Sequence, residues 1–514
     1  MTQTNRRRGR KDRLNQATEP DTHPPVWPGV TGGRLKPLSL DEVQLVEEAA
    51  LSLLETLGLS QAIPSMIERV MAAGGSVDGD GRLLFPRDLV QQTLAQARRD
   101  FTLCGQVPEH DLRIEGARVH MSTGGAAPGV FDIDTGAYRP STLADLYDAA
   151  RLVDEMENIH HFSRPVVARD VEDTAAMDLN TAYACLMGTS KHVSISITEP
   201  ANVPAIADLC YTIAGGEAAF RARPFLTVMV CHVVPPMRFA EDACDVLEAA
   251  IKAGFPVQLI SAGQAGATSP ATIAGSLVQA VAETLAGLVF AQLVDPQVRA
   301  IFAPKPLVAD LRTGSMSGGG GEQAILMAAA AQMGRHFGLP TSSIAGITDA
   351  KTLDAQYGAE KSLAVAMAAH AGANIVTQAA GIHASLLGVS LEGYVSDNDL
   401  LGNILRTIRG VEATPDNIAA EVIANVCRGP GHYLGELHTF ERMKSDYFYP
   451  HVGDRRTPDE WQEDGRRSVA DVARDRTREL LASHFPQHIP DATDRALRDR
   501  FDIHLSRARI GRQP

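Results

Sequence analysis

Short runs of apolar residues recur along the middle of the chain, and most of them are separated by stretches with helical periodicity. Such a run, bounded by glycine or proline, is typical of a strand buried on both faces. Eight runs predict strands, at 119–122, 162–168, 193–197, 225–231, 257–260, 301–309, 342–347 and 374–377. Strands that alternate with helices predict a parallel sheet in which the loops after the strands carry the chemistry.

The clearest of these units spans residues 256–292. After its strand, Thr268, Ser269 and Pro270 predict a helix start, because hydroxyl groups cap helices and proline suits the first turn. The helix that follows is apolar on nearly every side, which indicates burial against a sheet. Its few polar residues favour a core helix over a membrane span. One of them, Glu283, is predicted to be a buried, paired structural carboxylate.

Eight strands with intervening helices predict an α/β fold of the (β/α)8 TIM-barrel type over 118–395. An open doubly wound sheet is the alternative, but no GxGxxG turn follows an early strand. Residues 37–117 predict an N-terminal helical and hairpin extension that begins with a capping box at Ser39 and Glu42. The DTG at 134–136 predicts a hairpin, and Thr142 with Asp145 forms a second capping box before a helix. Residues 396–514 predict a C-terminal helical addition, in which 458–485 is a charged surface helix. Residues 1–36 predict a disordered basic tail followed by a proline- and glycine-rich linker.

Composition restricts the function classes. Hydrophobic residues make up 44% of the 514 positions, which is ordinary for a globular protein, and the net charge of −14 argues against nucleic acid as a partner. Six cysteines without a CxxC pair fit a reducing compartment. No apolar signal-peptide core follows the basic N-terminus. We therefore expect a cytoplasmic protein that has no nucleic-acid or membrane partner and forms a homo-oligomer.

Two common kinds of site lack their sequence patterns. The pairs Cys231–His232 and His432–His438 do not have the spacing that puts two metal ligands on one helix face, so we predict no metal site. The glycine run 318–321 precedes a helix but lacks the Lys-Ser/Thr ending of a phosphate loop, and Glu322 would repel phosphate. This run is therefore predicted to be a hinge or a close backbone approach. The Glu322 carboxylate would suit a cationic ligand.

Polar side chains gather after the last three predicted strands. Asp310 ends the sixth run, and the positions after the seventh and eighth runs are Thr348, Asp349, Lys351, Asp354, Gln356, Tyr357, Glu360, Gln378 and His383. These side chains should converge on the barrel mouth, meaning the opening at the carboxyl ends of the strands, where such enzymes keep their sites. Asp349 and Asp354 also fit helix caps, and Asp310 also fits a salt bridge with Arg312.

Several segments in fixed order carry a family resemblance. They are STGGAAPGVFDIDTGAYRPSTLADLYDAARLVDEMENIH, AGQAGATSPATIAGSLVQAVAETLAGLVFAQL, TDAKTLDAQYGAEK, LEGYVSDNDLLGNILR and GHYLGELHTF. Together they resemble the trimethylamine:corrinoid methyltransferase family over roughly 35–485. The resemblance implies a barrel that docks a small corrinoid protein over its mouth and moves a methyl group from a methylated amine to reduced cobalt.

The resemblance also bears on the substrate. Archaeal trimethylamine enzymes carry pyrrolysine, whereas this chain contains only standard residues. It is therefore more similar to the non-pyrrolysine branch, whose known type of substrate is glycine betaine and related quaternary amines. A quaternary ammonium already has a neutral amine as leaving group, and cobalt(I) is the nucleophile. We thus expect no tightly bound cofactor in this chain, because the partner protein supplies the cobalamin. The chain itself would orient and desolvate the substrate.

The sequence contains candidate residues for binding such a substrate. A cationic head group is best held by aromatic faces near a carboxylate, and Phe131, Tyr357 and Tyr394 lie near predicted loops. Asp310 is expected to face the ammonium end, with Glu322 as a second acidic candidate. The carboxylate end of a betaine needs a donor, for which His383 is proposed and Arg312 is an alternative. The amides of Gln356 and Gln378 complete the predicted substrate-binding set.

Three other functions remain open at this stage. Within the resemblance, the methyl group could pass to tetrahydrofolate without a corrinoid partner. A non-catalytic barrel that binds quaternary amines would bind ligand without releasing a demethylated product. A lyase or aldolase would need a Schiff-base lysine, and Lys351 alone of the barrel lysines lies near a predicted strand end.

Overall fold

The computed structural model describes residues 24–513. The sequence predicts a disordered basic tail at the N-terminus, and residues 1–23 lie outside this range. The predicted linker lies partly within it. Val30–Thr31 forms a short strand that pairs antiparallel with Arg118 and Val119, and Val30 is buried. Backbone pairing and burial of one apolar side chain thus order a segment whose composition alone indicates a linker.

Within the described range, eight parallel strands close into a barrel. They are β1 (Arg118–Met121), β2 (His161–Ser163), β3 (His192–Ile195), β4 (Leu226–Val230), β5 (Val257–Ser261), β6 (Ala300–Pro304), β7 (Ser342–Ile344) and β8 (Ile375–Thr377). Parallel ladders join β2 to β6 in sequence order, β7 to β8, and β8 to β1. Parallel bridges from Ser122 to His161 and from Phe302 to Thr341 close the two remaining gaps. The closed ring confirms the TIM-type barrel and excludes the open sheet.

All eight predicted strands overlap observed ones, but the second and the sixth were predicted too long. β6 ends at Pro304, and Leu307–Val308 forms a separate two-residue ladder with Gln264–Ala265. The apolar run 301–309 therefore contains a strand, a turn and a second short strand. As a consequence, Lys305 stands at the carboxyl end of a barrel strand and not in the middle of one.

One main helix follows each barrel strand. These helices are α1 (Leu143–Asp154), α2 (Thr174–Gly188), α3 (Val203–Ala214), α4 (Glu241–Lys252), α5 (Ile273–Val294), α6 (Gly321–His336), α7 (Ala355–His370) and α8 (Leu391–Arg409). A short helix, Glu217–Ala222, follows α3. Capping boxes begin both α1, at Thr142 and Asp145, and the first N-terminal helix, as the sequence predicts.

The start of α5 differs from the prediction. Thr272 caps the helix, and the hydroxyl of Thr268 instead accepts from the Gln264 amide inside a tight turn. By length and composition α5 could cross a membrane, but 83% of its most apolar window is buried inside the protein. The core-helix interpretation is therefore confirmed. Glu283 is buried as predicted, where it accepts hydrogen bonds from Ser261 and from the Met237 amide.

The residues before the barrel cover its side and its amino-terminal end. Helices Leu40–Thr56, Pro64–Ala72 and Arg87–Gln96 pack on α5, and a small hairpin joins Ser76–Val77 to Leu83–Leu84. A second hairpin, Phe101–Leu103 with Leu112–Ile114, forms a cluster with Ile301 and Ile375 at the amino ends of β6 and β8. This hairpin plugs the amino-terminal end of the barrel.

Short strands over the other end form a small sheet. The predicted DTG hairpin is present as Gly129–Phe131 paired with Tyr138–Pro140, and Gly388–Ser390 joins it beside Ile382–His383. Beyond α8 the helices are Pro415–Ile418, Ala420–Arg428, Leu437–Ser445, Pro458–Glu463, Val469–Ser483 and Asp491–Arg500. The surface helix predicted near 458–485 is two helices, because Gly465 and Arg466 both adopt positive φ.

Candidate active site

The carboxyl end of the barrel is the accessible end. Thr227 in β4 points into the barrel, because its hydroxyl bonds to the His192 ring there. Met229 and Cys231 lie two and four residues further along, so they point the same way toward the mouth. Met229 is partly exposed and Cys231 is exposed, whereas the plug residues Leu103 and Ile114 at the opposite end are fully buried. A ligand can therefore enter at the mouth.

A layer of neutral polar side chains lies in the barrel interior. The His161 ring bonds to Ser122 Oγ (2.6 Å) and to Ser194 Oγ (2.8 Å), and it stacks on the His192 ring. Burial lowers the pKa of His192 to about 4 and holds the pKa of His161 well below its ordinary value. Both rings are therefore uncharged near neutral pH, and their nitrogens are occupied by hydrogen bonds within the barrel.

Lys305, directly after β6, is a buried amine without a carboxylate partner. Its side chain is 2% exposed, and Nζ donates a hydrogen bond to Thr377 Oγ1 (2.9 Å). Across residues 24–513 no aspartate or glutamate lies within ion-pair distance of this nitrogen. Burial lowers the pKa of Lys305 to about 7, so the amine titrates near physiological pH.

Arg164, directly after β2, is a second cation that lacks a counter-ion. It is 9% exposed, its buried Nε has no hydrogen-bond partner, and no ion pair joins it to a carboxylate in the described part of the chain. The buried Asp178 carboxylate is close enough to influence Arg164, but it accepts hydrogen bonds from Thr198 and Asn202. Burial lowers the pKa of Arg164, yet a guanidinium remains charged at any physiological pH.

Cys231 is a thiol on which both Lys305 and Arg164 act electrostatically. Burial raises the pKa of its thiol, and the charges of Lys305 and Arg164 act in the opposite direction. The thiol nevertheless reaches solvent, which places it in the wall of the concave mouth. Because its pKa is raised from an already basic value, the thiol is protonated near neutral pH and supplies no negative charge to the two cations.

Gln378 also lies at the mouth, directly after β8. Its backbone has a φ of 61°, and its amide, in the orientation that satisfies both ends, donates to the Thr377 carbonyl and accepts from the Gly125 amide. A Cβ at Gly124 would lie 2.9 Å from Gln378 Nε2 and 3.3 Å from Ser163 Oγ. The predicted substrate residue Gln378 is therefore next to β2 and close to the start of the Arg164 loop.

Three of the predicted substrate residues form one aromatic cluster. The His383 ring lies 4.6 Å from the Tyr357 ring and 5.5 Å from the Phe131 ring, measured between centroids. Tyr357 and His383 are buried, and Phe131 is partly exposed. Burial lowers the pKa of His383 to about 3, and its Nε2 pairs with Ser390 Oγ. A neutral, buried imidazole is a weaker partner for a carboxylate than a guanidinium is.

Tyr394 is fully buried, beside Gly381. It therefore lies behind the aromatic cluster and has no surface from which to touch a ligand directly. Tyr357 has its hydroxyl bonded to Asp397 Oδ2 (2.6 Å), a buried carboxylate of α8. The face of this cluster that remains available to a cation is that of Phe131.

The other predicted site residues lie on exposed loops and helix starts. Asp310 pairs with Arg312 through two hydrogen bonds (2.7 and 3.0 Å), and the Arg312 side chain is 87% exposed. Glu322, in the first turn of α6, and Gln356, which donates to Glu360 Oε1, are also exposed. The structure thus brings Phe131, Tyr357 and His383 together and leaves these four on the surface.

The acidic residues after β7 serve the backbone. Asp354 caps α7 by accepting from the Tyr357 amide, as predicted. Asp349 is not a helix cap, because its carboxylate accepts from the Gly318 amide (2.8 Å) and from Ser385 Oγ. A Cβ at Gly318 would overlap the Ile347 side chain, so the predicted close backbone approach of the glycine run is confirmed.

Sequence reasoning missed Arg164, Lys305 and Cys231. Both cations lie within apolar runs that were interpreted as uninterrupted strands, at 162–168 and 301–309. In each case the strand ends immediately before the charged residue. A single charged residue inside an otherwise apolar run was the feature that could have indicated the end of each strand.

A cavity of about 490 Å³ lies elsewhere, between residues 24–28 and the segment around Tyr447 and Phe448. Its lining comes from the N-terminal segment, the loop after α1 and the C-terminal addition. None of the eight strand ends contributes to it. Because the polar groups after the barrel strands are absent from this cavity, the mouth is the better candidate site.

Comparison with known proteins gives consistent results. The family model described as trimethylamine methyltransferase (MTTB) matches residues 6–505. The chain is 29% identical over 461 residues to a glycine betaine methyltransferase of Desulfitobacterium hafniense (strain Y51), covering 90% of this chain and 95% of that protein. It is 29% identical over 461 residues to trimethylamine methyltransferase MttB of Methanosarcina thermophila, covering 88% and 94% respectively.

The monomethylamine methyltransferase MtmB of Methanosarcina barkeri superposes with a TM-score of 0.47 at 13% identity, over 88% of this chain and 95% of that chain.

Proposed function

The chain belongs to the trimethylamine methyltransferase family and is a methyltransferase, and from this premise we propose that it transfers a methyl group from a quaternary amine such as glycine betaine to the cobalt(I) of a small corrinoid protein. The observation that carries the proposal is the open mouth of the barrel in a chain of this family. One end of the barrel is plugged by a hairpin, so donor and acceptor must both use the other.

The corrinoid of the partner would supply the nucleophile, so the chain itself needs none. Cys231 fits this arrangement, because a protonated thiol at the mouth is a poor competitor for the methyl group. The mouth also fits an acceptor that arrives from outside, since Cys231 and Met229 are reachable from solvent. The work left to the chain is to bind the amine, orient one methyl group outward and exclude water.

We propose that the Phe131 face receives the ammonium head, supported from behind by Tyr357 and Tyr394. Asp310 and Glu322 would give the rim of the mouth a negative charge that attracts the cation, with Gln356 beside them. The pairing of Asp310 with Arg312 leaves the carboxylate ionised, because their hydrogen bonds lower the pKa of Asp310 to about 2. Gln378 would offer its amide to the polar end of the amine.

The test is methyl transfer with purified components. The chain, a reduced corrinoid protein and one amine at a time are incubated, and the methylated corrinoid is followed by absorbance. Glycine betaine is expected to react faster than trimethylamine, which lacks a permanent charge, and the isolated chain is expected to be inactive alone. Equal rates for both amines, or turnover without any acceptor, would contradict the proposal.

The family match removes the lyase or aldolase, and the two remaining alternatives are separated in the same assay. Transfer to tetrahydrofolate would consume the amine when the folate replaces the corrinoid protein. A non-catalytic binding barrel would bind glycine betaine and yield no dimethylglycine with either acceptor. The cytoplasmic location and the homo-oligomer remain predictions, and light scattering of the purified chain tests the second.

A further inference from the structure

Two buried cations at the mouth have no counter-ion of their own. Arg164 and Lys305 directly follow strands β2 and β6 at the carboxyl end of the barrel, where Lys305 Nζ donates to Thr377 Oγ1. We propose that Arg164, together with Lys305, forms a subsite for the carboxylate of a zwitterionic methylated amine. This inference rests on the proposed function, which makes the mouth an amine site.

Charge is the first argument for a ligand. Buried arginine is normally paired, because removing a guanidinium from water without a partner is unfavourable. Arg151, which is also buried, follows this rule: it pairs with Asp148 Oδ1 (3.0 Å) and donates to two backbone carbonyls. Arg164 has no such partner within residues 24–513. The site is therefore preorganised for an anion that the folded chain does not itself provide.

The neighbouring groups cannot fill that role. Asp178 is fully buried, and both of its carboxylate oxygens accept hydrogen bonds from Thr198 and Asn202. Cys231 is protonated because burial raises the pKa of its thiol. The His161 and His192 rings below are neutral and internally bonded. Asp178 acts on Arg164 from a distance and forms no ion pair with it within the described residues, so the guanidinium stays open to direct contact with an anion that enters from solvent past Cys231.

The chemistry of the pair favours a carboxylate. A guanidinium matches a planar carboxylate through two parallel hydrogen bonds, and an ammonium adds a point charge. A trimethylammonium group, by contrast, would be repelled by Arg164, and also by Lys305 when its amine is protonated. A zwitterion can place its carboxylate beside these side chains and keep its trimethylammonium group away from them. It does so by turning its carboxylate inward and its methyl groups outward, toward the acceptor. The pair would thus select betaines over methylated amines without an acid group, and it takes over the role first assigned to His383.

Two variants and a matched control test the inference. Arg164→Met removes the charge and keeps the length, Arg164→Lys keeps the charge without the planar fork, and Arg151→Met removes a paired buried arginine. Binding of glycine betaine and of choline, which has the same head group without a carboxylate, is measured by calorimetry. Thermal unfolding is recorded for each protein with and without glycine betaine.

Arg164→Met is expected to bind glycine betaine roughly tenfold to a hundredfold more weakly, the range of a lost charge-assisted hydrogen-bond pair. Choline binding should change little or improve. The Tm of the ligand-free variant should stay or rise, since an uncompensated charge is gone, whereas Arg151→Met should lower Tm. Arg164→Lys should recover part of the affinity. In turnover, KM for glycine betaine should rise more than kcat falls.

Unchanged glycine betaine affinity in Arg164→Met would overturn the inference, as would a Tm loss like that of Arg151→Met that Arg164→Lys fully reverses. If Arg164→Met does not fold, Lys305→Met is measured in its place, with the same selective loss expected. Turnover of choline but of no carboxylate-bearing amine refutes the subsite and leaves the proposed function standing. Selective glycine betaine binding without methyl transfer to any acceptor supports the subsite and refutes the function.

Discussion

Individual residues in the barrel interior have protonation behaviour that their sequence neighbours do not reveal. Lys305 is the clearest case, because within residues 24–513 its amine donates a hydrogen bond to Thr377 alone at close range and its pKa is about 7 instead of the 10.5 of a free lysine. The residues around it supply no compensating negative charge. A group of this kind makes the stability of the whole protein depend on pH.

Lys305→Met should therefore change that dependence. Between about pH 7 and pH 10.5 the unfolded chain holds a proton on this lysine that the folded chain has released, so wild-type stability gains from rising pH. Below pH 7 the buried charge is present and the gain is absent. The variant should thus exceed wild type most at pH 6 and lose that advantage toward pH 10, as measured by urea unfolding. Lys252→Met, at an exposed lysine, is the control, and a pH-independent difference would contradict the expectation.

Asp310 tests the proposed attraction of the ammonium group at the rim. Asp310→Asn is expected to lower kcat/KM for glycine betaine roughly tenfold to a hundredfold, the effect of one lost charge-assisted hydrogen bond. Because Asp310 and its partner Arg312 lie on an exposed loop, Tm should stay near wild type. Arg312→Gln, which removes the partner and keeps the carboxylate, is the matched control. Normal turnover in Asp310→Asn would show that the ammonium lies elsewhere.

At the scale of elements, a buried polar network joins α7, α8 and the segment after β8. Asp397 Oδ2 accepts hydrogen bonds from Tyr357 Oη (2.6 Å) and from the Gly381 amide (2.7 Å), and it lies 3.2 Å from Lys361 Nζ. Asp397 and Lys361 are both fully buried. This network fixes Tyr357, and through it the aromatic cluster that includes Phe131 and His383.

Removing one charge of this network should be costly. Asp397→Ala leaves Lys361 buried and unpaired, so the free energy of unfolding is expected to fall by about 3–5 kcal/mol. The double variant Lys361→Met/Asp397→Ala should lose less than the single changes Lys361→Met and Asp397→Ala together, because neither charge then remains. A double-mutant cycle from urea unfolding measures the difference. Strictly additive losses would mean that the two charges do not depend on each other.

For the whole molecule, the plugged amino end and the open carboxyl end make one entrance to the barrel. Of the six cysteines, Cys231 at this entrance and Cys427 in the C-terminal addition are exposed, and the other four are buried. The two exposed thiols report on different regions of the same molecule. Alkylation of Cys231 is thus a direct measure of access to the mouth.

Glycine betaine at saturating concentration should protect Cys231. We expect its alkylation by iodoacetamide, followed by mass spectrometry of the peptides, to slow at least about fivefold, because ligand excludes the reagent from the mouth. Cys427 serves as the internal control and should react at an unchanged rate. Equal slowing at both thiols would indicate a general effect of the solute, and no slowing at Cys231 would place the ligand outside the mouth.

Local patterns in the sequence were sufficient to predict the fold. Eight short apolar runs gave all eight barrel strands, and the capping boxes at Ser39 and Thr142 located two helix starts. These features depend on residues near one another in the chain, where strand burial and cap chemistry are decided. The family segments added the methyltransferase class, which the family match confirms.

Tertiary structure alone decided which side chains form the site. Arg164 and Lys305 are charged residues in apolar runs, and their lack of a partner depends on strands far apart in sequence that meet around the barrel. Tyr357 and His383 were predicted at the mouth, but packing against one another and against α8 buries them. Burial and counter-ions are properties of the assembled barrel, because water is excluded by residues brought together from the whole chain. The sequence determined the barrel, and closure of the barrel decided which charged groups inside it are buried and which have a counter-ion.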